Sequence, residues 1–429
     1  MGALRIFHTA DWHLGKGLGT QDRTADYEVF LDDFLTLVRE RKPDVILLAG
    51  DVFDTAMPAN SAQKLYYSFI SRLAATEVKL TVITAGNHDS QRFLEAPKAL
   101  LESMRCVVAG ETPESEAVML RDADGTPLLG IAAVPFLREG DVRLGSLDYT
   151  DADRAALFEQ GVLRRYEAVR SILADAAGGR RIPMVAMGHL FVIGSRMRPD
   201  AAPTEMPETA FVGSLRNVRA NAFGTGWDYV ALGHIHNSQT VKADVPMRYS
   251  GAPLSLSYSH KTYRHHIVEV NFDEKGTLDI VEHPVKQPRQ FISLAGDYET
   301  LRNGIIKAGR EFESPFVEAT LTSDEVVGDL VETLIRLGRE CGAIVTAVRN
   351  EQATRRLFAS EDVSIDLSQL NPSEVFRQYL LEQAETDEAA RAQFERFGAL
   401  FQEAEEAVAV EHRVKEPIPA AGLKTEQPK

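Results

Sequence analysis

Val45-Ile-Leu-Leu-Ala-Gly-Asp-Val-Phe-Asp54 decides how this sequence is read. Five apolar residues, of the length of a buried strand, run straight into a glycine and two carboxylates three apart. The same arrangement recurs on both sides of it. Leu4 to Thr9 leads into Asp11-Trp12-His13, and Val78 to Thr84 into Gly86-Asn87-His88-Asp89. Further on, Pro183 to Met187 leads into Gly188-His189, and Trp227 to Leu232 into Gly233-His234-Ile235-His236. Helical spacing fills the gaps between the first three strands. Phe30, Phe34, Leu37 and Val38 share a face of Asp26 to Arg41, and Leu65, Phe69 and Leu73 share one of Asn60 to Leu73. Strand, helix, strand, helix, strand implies right-handed crossovers and an α/β layered sheet.

Outward from this frame, Leu128 to Val134 reads as a strand, Arg154 to Ala176 as one long helix and Arg196 to Glu208 as a surface loop. Short strands are expected at GAPLSLSYS (251–259), HHIVEVNF (265–272) and GTLDIVEH (276–283). After Lys286 to Gln290 the alternation restarts as β-α-β-α-β: Phe291 to Leu294, Tyr298 to Ala308, Phe316 to Leu321, Asp324 to Cys341 and Ile344 to Val348. Beyond Asn371-Pro372, Phe376, Tyr379 and Leu380 form one helical stripe, and Phe394, Phe397, Leu400 and Phe401 another. The expected divisions are residues 1–285, 286–368, 369–412 and a disordered tail at 413–429.

Composition narrows the class. With 26% charged and 44% hydrophobic residues, the 429-residue chain reads as an ordinary soluble globular protein, not a membrane-spanning one. Two distant cysteines, Cys106 and Cys341, exclude a disulfide framework and a cysteine-only zinc site, and suit a reducing cytoplasm. The N-terminal MGALRIFHTA lacks the pattern of a signal peptide. Lys and Arg total 47 against 63 Asp and Glu, so the net charge of −16 argues against a broad grip on nucleic acid and leaves room only for a local cationic groove. No GxxxxGK[ST] sequence occurs, so any ATP dependence has to come from a partner.

In open α/β sheets, ligands bind beyond the carboxyl ends of the strands. Five strands ending in Asp, Asn or His would bring those side chains into one crevice. Carboxylates, an amide oxygen and imidazoles, with no sulfur, suit Mn2+, Fe2+ or Zn2+. Asp11 and His13 are two apart, as are His234 and His236, so each pair shares a face of an extended segment. Singly, each motif reads as a turn or loop. Together they supply more ligands than one ion needs, which points to two ions sharing a carboxylate, a recurrent solution for phosphoester cleavage.

Asp-x-His, Gly-Asp-x-x-Asp, Gly-Asn-His-Asp, Gly-His and Gly-His-x-His, in this order, resemble the calcineurin-like metallophosphoesterases. The resemblance covers roughly residues 4–110 and 184–260, and it implies a four-layer α/β sandwich with a small α+β capping domain and C-terminal helices. It assigns one ion to Asp11, His13, Asp51 and His236, and a second to Asp51, Asn87, His189 and His234. Attack by hydroxide on a phosphodiester follows from that arrangement, with Mn2+ as the expected metal. His88 becomes the catalytic histidine, Asp54 the residue that orients it, and Asp89 a brace for the loop backbone.

The wording DWHLG, AGDVFDT, AGNHDS and YVALGHIH followed by RYSGAPLSLS resembles the nuclease members of the family. It implies 3′ to 5′ exonuclease and hairpin-opening endonuclease action on double-stranded DNA, a homodimer within a heterotetramer, and a coiled-coil ATPase partner bound by the C-terminal helices. Action on non-DNA phosphoesters and a non-catalytic scaffold are the alternatives. Asp54-Thr55-Ala56, where protein phosphatases carry Arg-Gly after the Asp, speaks against the protein-phosphatase version. The complete ligand set speaks against the scaffold. Three weaker features are expected to be structural: the glycine-rich Gly15 to Gly19 as a mobile loop, the run Lys261, Arg264, His265 and His266 as a hairpin edge, and His8 as a satisfied core residue.

Overall fold

The computed structural model describes residues 3–142, 151–195 and 217–350, apart from positions 324, 326 and 328. All of these fall in one compact unit, Met1–Ala353. The expected surface loop from Arg196, the C-terminal helices and the tail lie outside the described residues.

Elements follow the order anticipated by the alternation of strand and helix. Those that position the site are β1 (Leu4–Thr9), α1 (Thr24–Arg41), β2 (Val45–Ala49), α2 (Asn60–Ala74), β3 (Leu80–Thr84), β4 (Cys106–Val108), β5 (Ala117–Arg121), β6 (Pro127–Ala133), α3 (Asp151–Ala177), β7 (Met184–His189) and β8 (Tyr229–Gly233). They are followed by β9 (Gln239–Val241), β10 (Met247–Tyr249), β11 (His266–Phe272) and β12 (Leu278–Pro284). One six-stranded sheet runs β12-β11-β1-β2-β3-β4 and the other β9-β10-β8-β7-β6-β5. β1 to β4 are mutually parallel, as are β6, β7, β8 and β10, and antiparallel hairpin strands close every edge but the one at β4.

Period-two alternation builds the layers. In β2, Val45, Leu47 and Ala49 enter the core between the sheets with Ile6, Val82, Ile131, Val185 and Ala231. Ile46 and Leu48 point the other way, into the core shared with Phe30, Phe34 and Leu35 of α1 and Phe69 and Ile70 of α2. On the far side, Phe158, Val162, Tyr166 and Val169 of α3 cover the second sheet. The order is helix, sheet, sheet, helix, and each fully buried Leu, Ile or Phe contributes about 1.5–3 kcal/mol. Polar groups in the middle are satisfied: His8 places Nδ1 3.0 Å from Tyr229 Oη and Nε2 3.2 Å from the Leu232 carbonyl.

Several segments differ from expectation, among them the short edge strands β4 and β9, which are unanticipated. β5 is an unanticipated strand, paired antiparallel to β6 across a turn at Asp122–Gly125. Residues 251–259 form no strand. There the backbone finds irregular partners instead of a ladder, with Ala252 N–H donating to the His236 carbonyl (3.0 Å) and Ser255 N–H to Gln287 Oε1 (2.8 Å), and Pro253 has no N–H to offer.

The segment expected to form the capping domain is β13 (Phe291–Gly296), α4 (Tyr298–Glu311), β14 (Phe316–Leu321), α5 (Leu330–Cys341) and β15 (Ile344–Asn350). Its strands are all parallel in the order β13-β14-β15, with a core of its own around Leu301, Ile305, Val317, Leu321 and Leu334. The Asp297 side chain caps α4 by accepting from Thr300 N–H at 2.8 Å. Arg289 donates to Asp26 of α1 (2.6 Å) and to the Ser314 carbonyl (3.2 Å). Arg23 lies over the rings of Tyr27, Phe291 and Phe316. Among the described residues, no helix is long and apolar enough to cross a membrane.

Candidate metal centre

Each polar motif sits where the chain leaves a parallel strand, and the chain bends hard there. Asp11, His13, Asp51 and His234 all have positive φ, at 53°, 48°, 50° and 94°. Such backbone costs about 1–3 kcal/mol per non-glycine residue and persists only where its surroundings impose it. Here the loops after β1 and β2 are zipped together: Asp11 N–H donates to the Gly50 carbonyl (3.0 Å), His13 N–H to Asp51 (3.0 Å) and Leu14 N–H to Val52 (2.9 Å). Trp12, between the two polar residues, turns the opposite way. Its ring meets Phe30, Phe34 and Phe69 edge-on, and its Nε1 donates to Thr9 Oγ1 at 2.9 Å. The burial of Trp12 therefore fixes Asp11 and His13 toward the crevice.

Two glycines let the sheets close on this crevice. A Cβ on Gly233 would stand 1.9 Å from the Ala49 carbonyl oxygen and 2.8 Å from His189 Nδ1, and one on Gly86 2.1 Å from Asp51 Oδ1. Gly233→Ala must therefore push β8 away from β2. The expected result is a loss of about 1–3 kcal/mol in urea unfolding, the range for overpacking a tight interior. A midpoint within error of wild type would contradict this packing.

The side chains converge as ligands would. Asn87 Oδ1 lies 3.1 Å from His189 Nε2 and 2.9 Å from His234 Nδ1. Asp51 Oδ2 lies 3.3 Å from His189 Nε2 and 3.5 Å from His13 Nε2, and the Nε2 atoms of His13 and His236 are 3.1 Å apart. Metal–ligand bonds of about 2.1 Å put neighbouring ligands about 3.0–3.4 Å apart on an octahedron or tetrahedron. Asp11 Oδ2 is buried without a hydrogen-bond partner, while its Oδ1 accepts from His234 N–H at 2.9 Å. An orphaned carboxylate oxygen facing paired imidazoles is what a cation would satisfy. Three triads, Asp11–His13–His236, His13–Asp51–His88 and Asp11–Asp51–His189, each keep their candidate ligand atoms within 4.8 Å. The residues present fit a dinuclear site, with Asp51 placed between its halves.

The protonation states follow from burial and neighbours. Burial would raise the Asp51 carboxyl, but the surrounding imidazoles, His189 first, hold it well below the usual carboxylate range. Burial pushes Asp11 up to about 6 against the pull of His189. Burial would lower His189, yet the facing Asp51 carboxylate holds it up at about 9. His234, buried and beside His189, falls to about 3. His189 Nδ1 donates to the Ala49 carbonyl at 2.8 Å, which leaves Nε2 as the atom that could ligate a cation.

At pH 7.5 the metal-free His189 is an imidazolium and has to lose its Nε2 proton to bind a cation. Mn2+ uptake should therefore release at least one proton per chain, from His189 and in part from His13, whose pKa its carboxylate neighbours also raise, with affinity rising as pH climbs toward 9. Calorimetry in buffers of different ionisation enthalpy reads this directly, and an apparent enthalpy independent of buffer would contradict it.

Around the ligands, Asp89 accepts from Val52 N–H (3.0 Å), Phe53 N–H (2.9 Å) and Gly86 N–H (2.9 Å), so it ties the loops after β2 and β3 together. His88, exposed at the mouth, donates from Nδ1 to the Asp54 backbone carbonyl at 2.9 Å. The resemblance gives that orienting role to Asp54 without naming the oxygen involved. In the structure the carboxylate turns instead to His13 Nδ1 (3.3 Å) and Lys16 Nζ (2.9 Å), and those two cations hold it down at about 2 against burial. A spacing of three residues places the Asp54 backbone beside His88 but cannot say which of its oxygens makes the bond.

Phe136 was not anticipated. Its ring packs against His189 (6.2 Å) and His234 (6.4 Å), and nothing polar in the segment Val134-Pro135-Phe136 signals it. Of the cationic run noted in the sequence, His265 is buried against Ser255 Oγ (2.9 Å) and the Ala252 carbonyl (2.7 Å), and Lys261 donates to Ser293 (2.9 Å).

Paired sheets with candidate metal ligands gathered at their strand ends fit a phosphoesterase architecture, and a family model agrees with the geometry. A model described as calcineurin-like phosphoesterase matches residues 4–238, and the chain belongs to that family. A second, described as type 5 capsule protein repressor C-terminal domain, matches residues 287–384. The chain is 29% identical over 396 residues to the SbcD component of nuclease SbcCD from Escherichia coli (strain K12), covering 91% of this chain and 96% of that protein. It is 33% identical over 279 residues to the protein of that name from Rhodobacter capsulatus (61% of this chain, 65% of that one). Identity to the Bacillus subtilis protein of the same name is 32% over 265 residues (61% and 64%).

Proposed function

We propose that this chain is the nuclease subunit of a DNA-processing complex. It acts as a cytoplasmic, Mn2+-dependent 3′ to 5′ exonuclease on double-stranded DNA and an endonuclease at hairpins and single strands. It works as a homodimer with an SbcC-type coiled-coil ATPase, in a heterotetramer serving DNA end processing, recombination, repair and replication. The observation that carries the chemistry is the convergence on Asp51 Oδ2, 3.5 Å from His13 Nε2 and 3.3 Å from His189 Nε2. Similarity to a nuclease component along 96% of that protein's length supports the substrate and the partner.

Asp11, His13, Asp51 and His236 would hold one ion, and Asp51, Asn87, His189 and His234 the other. When bound, the two ions supply an activated water nucleophile and neutralise charge building on the phosphoryl oxygens. The chain's own residues do the rest. With Nδ1 committed to the Asp54 carbonyl, His88 presents Nε2 to the crevice, where it can hold or deliver a proton at the leaving oxygen. Asp54 orients His13 through its carboxylate, and Phe136 covers the His189–His234 side against water. A chain of net charge −16 binds the DNA polyanion weakly by itself, so the ATPase partner supplies most of the cationic grip.

The test is digestion of a linear duplex and a hairpin-ended duplex with Mn2+, with and without the ATPase partner and ATP. Cleavage of both, increased by the partner and ATP, is expected. Hydrolysis of bis(p-nitrophenyl) phosphate with both DNAs left intact under every condition would assign the site to non-DNA phosphoesters.

A further inference from the structure

The ring of His236 is held by other rings. On one side His13 meets it at 5.0 Å between centroids and 81°, and on the other His260 meets it at 5.2 Å and 64°. His260 in turn stacks on Tyr263 at 4.5 Å and 16°, and its Nδ1 accepts from Leu256 N–H at 3.4 Å. His260 belongs to a single 3-10 turn, Tyr258–Thr262, and the same turn grips the capping sheet. The Tyr258 hydroxyl is hydrogen-bonded to Thr346 on β15, and its ring packs edge-on against Phe291 on β13. Lys261 Nζ donates to Ser293 of β13 (2.9 Å), whose hydroxyl donates to Glu318 of β14 (2.7 Å). One five-residue turn is therefore tied to all three strands of the cap and, through His260, to a metal-site imidazole.

We propose that His260 is a positioning residue for His236, and that the turn carrying it makes the geometry of the Asp11–His13–Asp51–His236 site depend on the seating of the capping subdomain. The inference rests on the two-metal reading above. A rigid path, cap strand to Tyr258 to His260 to His236, is short enough to carry a displacement without an intervening flexible side chain. Movement of the cap would tilt the His236 ring out of the ligand position, and docking of the cap would restore it. The second site, held by Asn87, His189 and His234, has no contact with this turn among the described residues and serves as the internal reference.

The experiment is calorimetric Mn2+ titration of the full chain, resolving two steps, with the step lost in Asn87→Ala identifying the second site. His260→Ala is expected to weaken the other step about 10- to 100-fold, the range for removing a ligand's supporting partner, and to leave the second site unchanged. His260→Phe, which keeps the ring packing, should recover most of that affinity. Tyr258→Phe removes only the hydrogen bond to the cap, while Thr346→Val removes it together with the Thr346 bond to the Val317 carbonyl (3.4 Å); both should weaken the same step by a few-fold, within the span that residues along a coupling path produce. Circular dichroism and thermal midpoints check that all variants fold. Two wild-type steps in His260→Ala would overturn the proposal. A weakened step in His260→Ala with unaltered steps in both cap-side variants would overturn the dependence on the cap. Fewer than two Mn2+ bound by wild type would instead defeat the two-metal reading.

Discussion

Asp51→Asn is expected to abolish paired metal binding and to lower phosphodiester cleavage by about 10^3-fold or more. The substitution keeps the shape of the side chain and the Oδ1 acceptor for His88 N–H (2.9 Å), so the loop after β3 stays in place. What it removes is the charge on Oδ2, which lies between the imidazoles of His13 and His189. A neutral amide cannot bridge two dications, and one ion's worth of electrostatic stabilisation is several kcal/mol, with each ~1.36 kcal/mol a factor of ten in rate. With the Asp51 charge gone, His189 loses the strongest of the partners that hold it up, so any residual metal uptake should release fewer protons than in wild type. Metal analysis together with calorimetry in two buffers reads both. Two bound Mn2+ and near-wild-type cleavage in Asp51→Asn would contradict the assignment of Asp51 as the bridge.

His88→Ala should do the opposite to the metals and nearly as much to the rate. His88 contacts the ligand set through its ring, at 4.8 Å from His13, and its Nδ1 is occupied by the Asp54 carbonyl. Two Mn2+ should therefore bind as in wild type while kcat falls about 10^2- to 10^4-fold, the range for a positioned proton donor. The loss should depend on the leaving group. DNA leaves as an alkoxide and needs the proton, whereas p-nitrophenolate does not, so the variant should retain far more activity on bis(p-nitrophenyl) phosphate than on duplex DNA. An equal loss on both substrates would move His88 from proton delivery to stabilising charge on phosphorus.

Most of the framework is legible because it obeys simple periods. Val45 to Ala49 is apolar on both faces since one face meets the second sheet and the other meets α1 and α2. The same argument finds β1, β3, β7 and β8, and the polar residue after each strand then marks the crevice. β5 was missed because Ala117-Val-Met-Leu-Arg121 lies at a sheet edge, where residues 117–119 are half-buried and show no alternation. GAPLSLSYS alternates as a strand should, but its backbone is satisfied by Gln287 and the His236 carbonyl. At the site, sequence gives the residues that end strands and little of what reaches them through space. Phe136, Lys16 and His260 come from loops whose roles depend on neighbours elsewhere in the chain, respectively His189, Asp54 and His236. The carboxylate and the carbonyl of Asp54 do different work, a distinction only coordinates can draw.

The central claim is that five strand ends assemble one dinuclear centre bridged by Asp51. Electron paramagnetic resonance of the chain titrated with Mn2+ tests it most directly. Two ions per chain are predicted at saturation, with the spin-coupled spectrum of a Mn2+ pair, collapsing in Asp51→Asn to at most a single uncoupled ion. A six-line spectrum of isolated Mn2+ at every loading of the wild-type chain would contradict it.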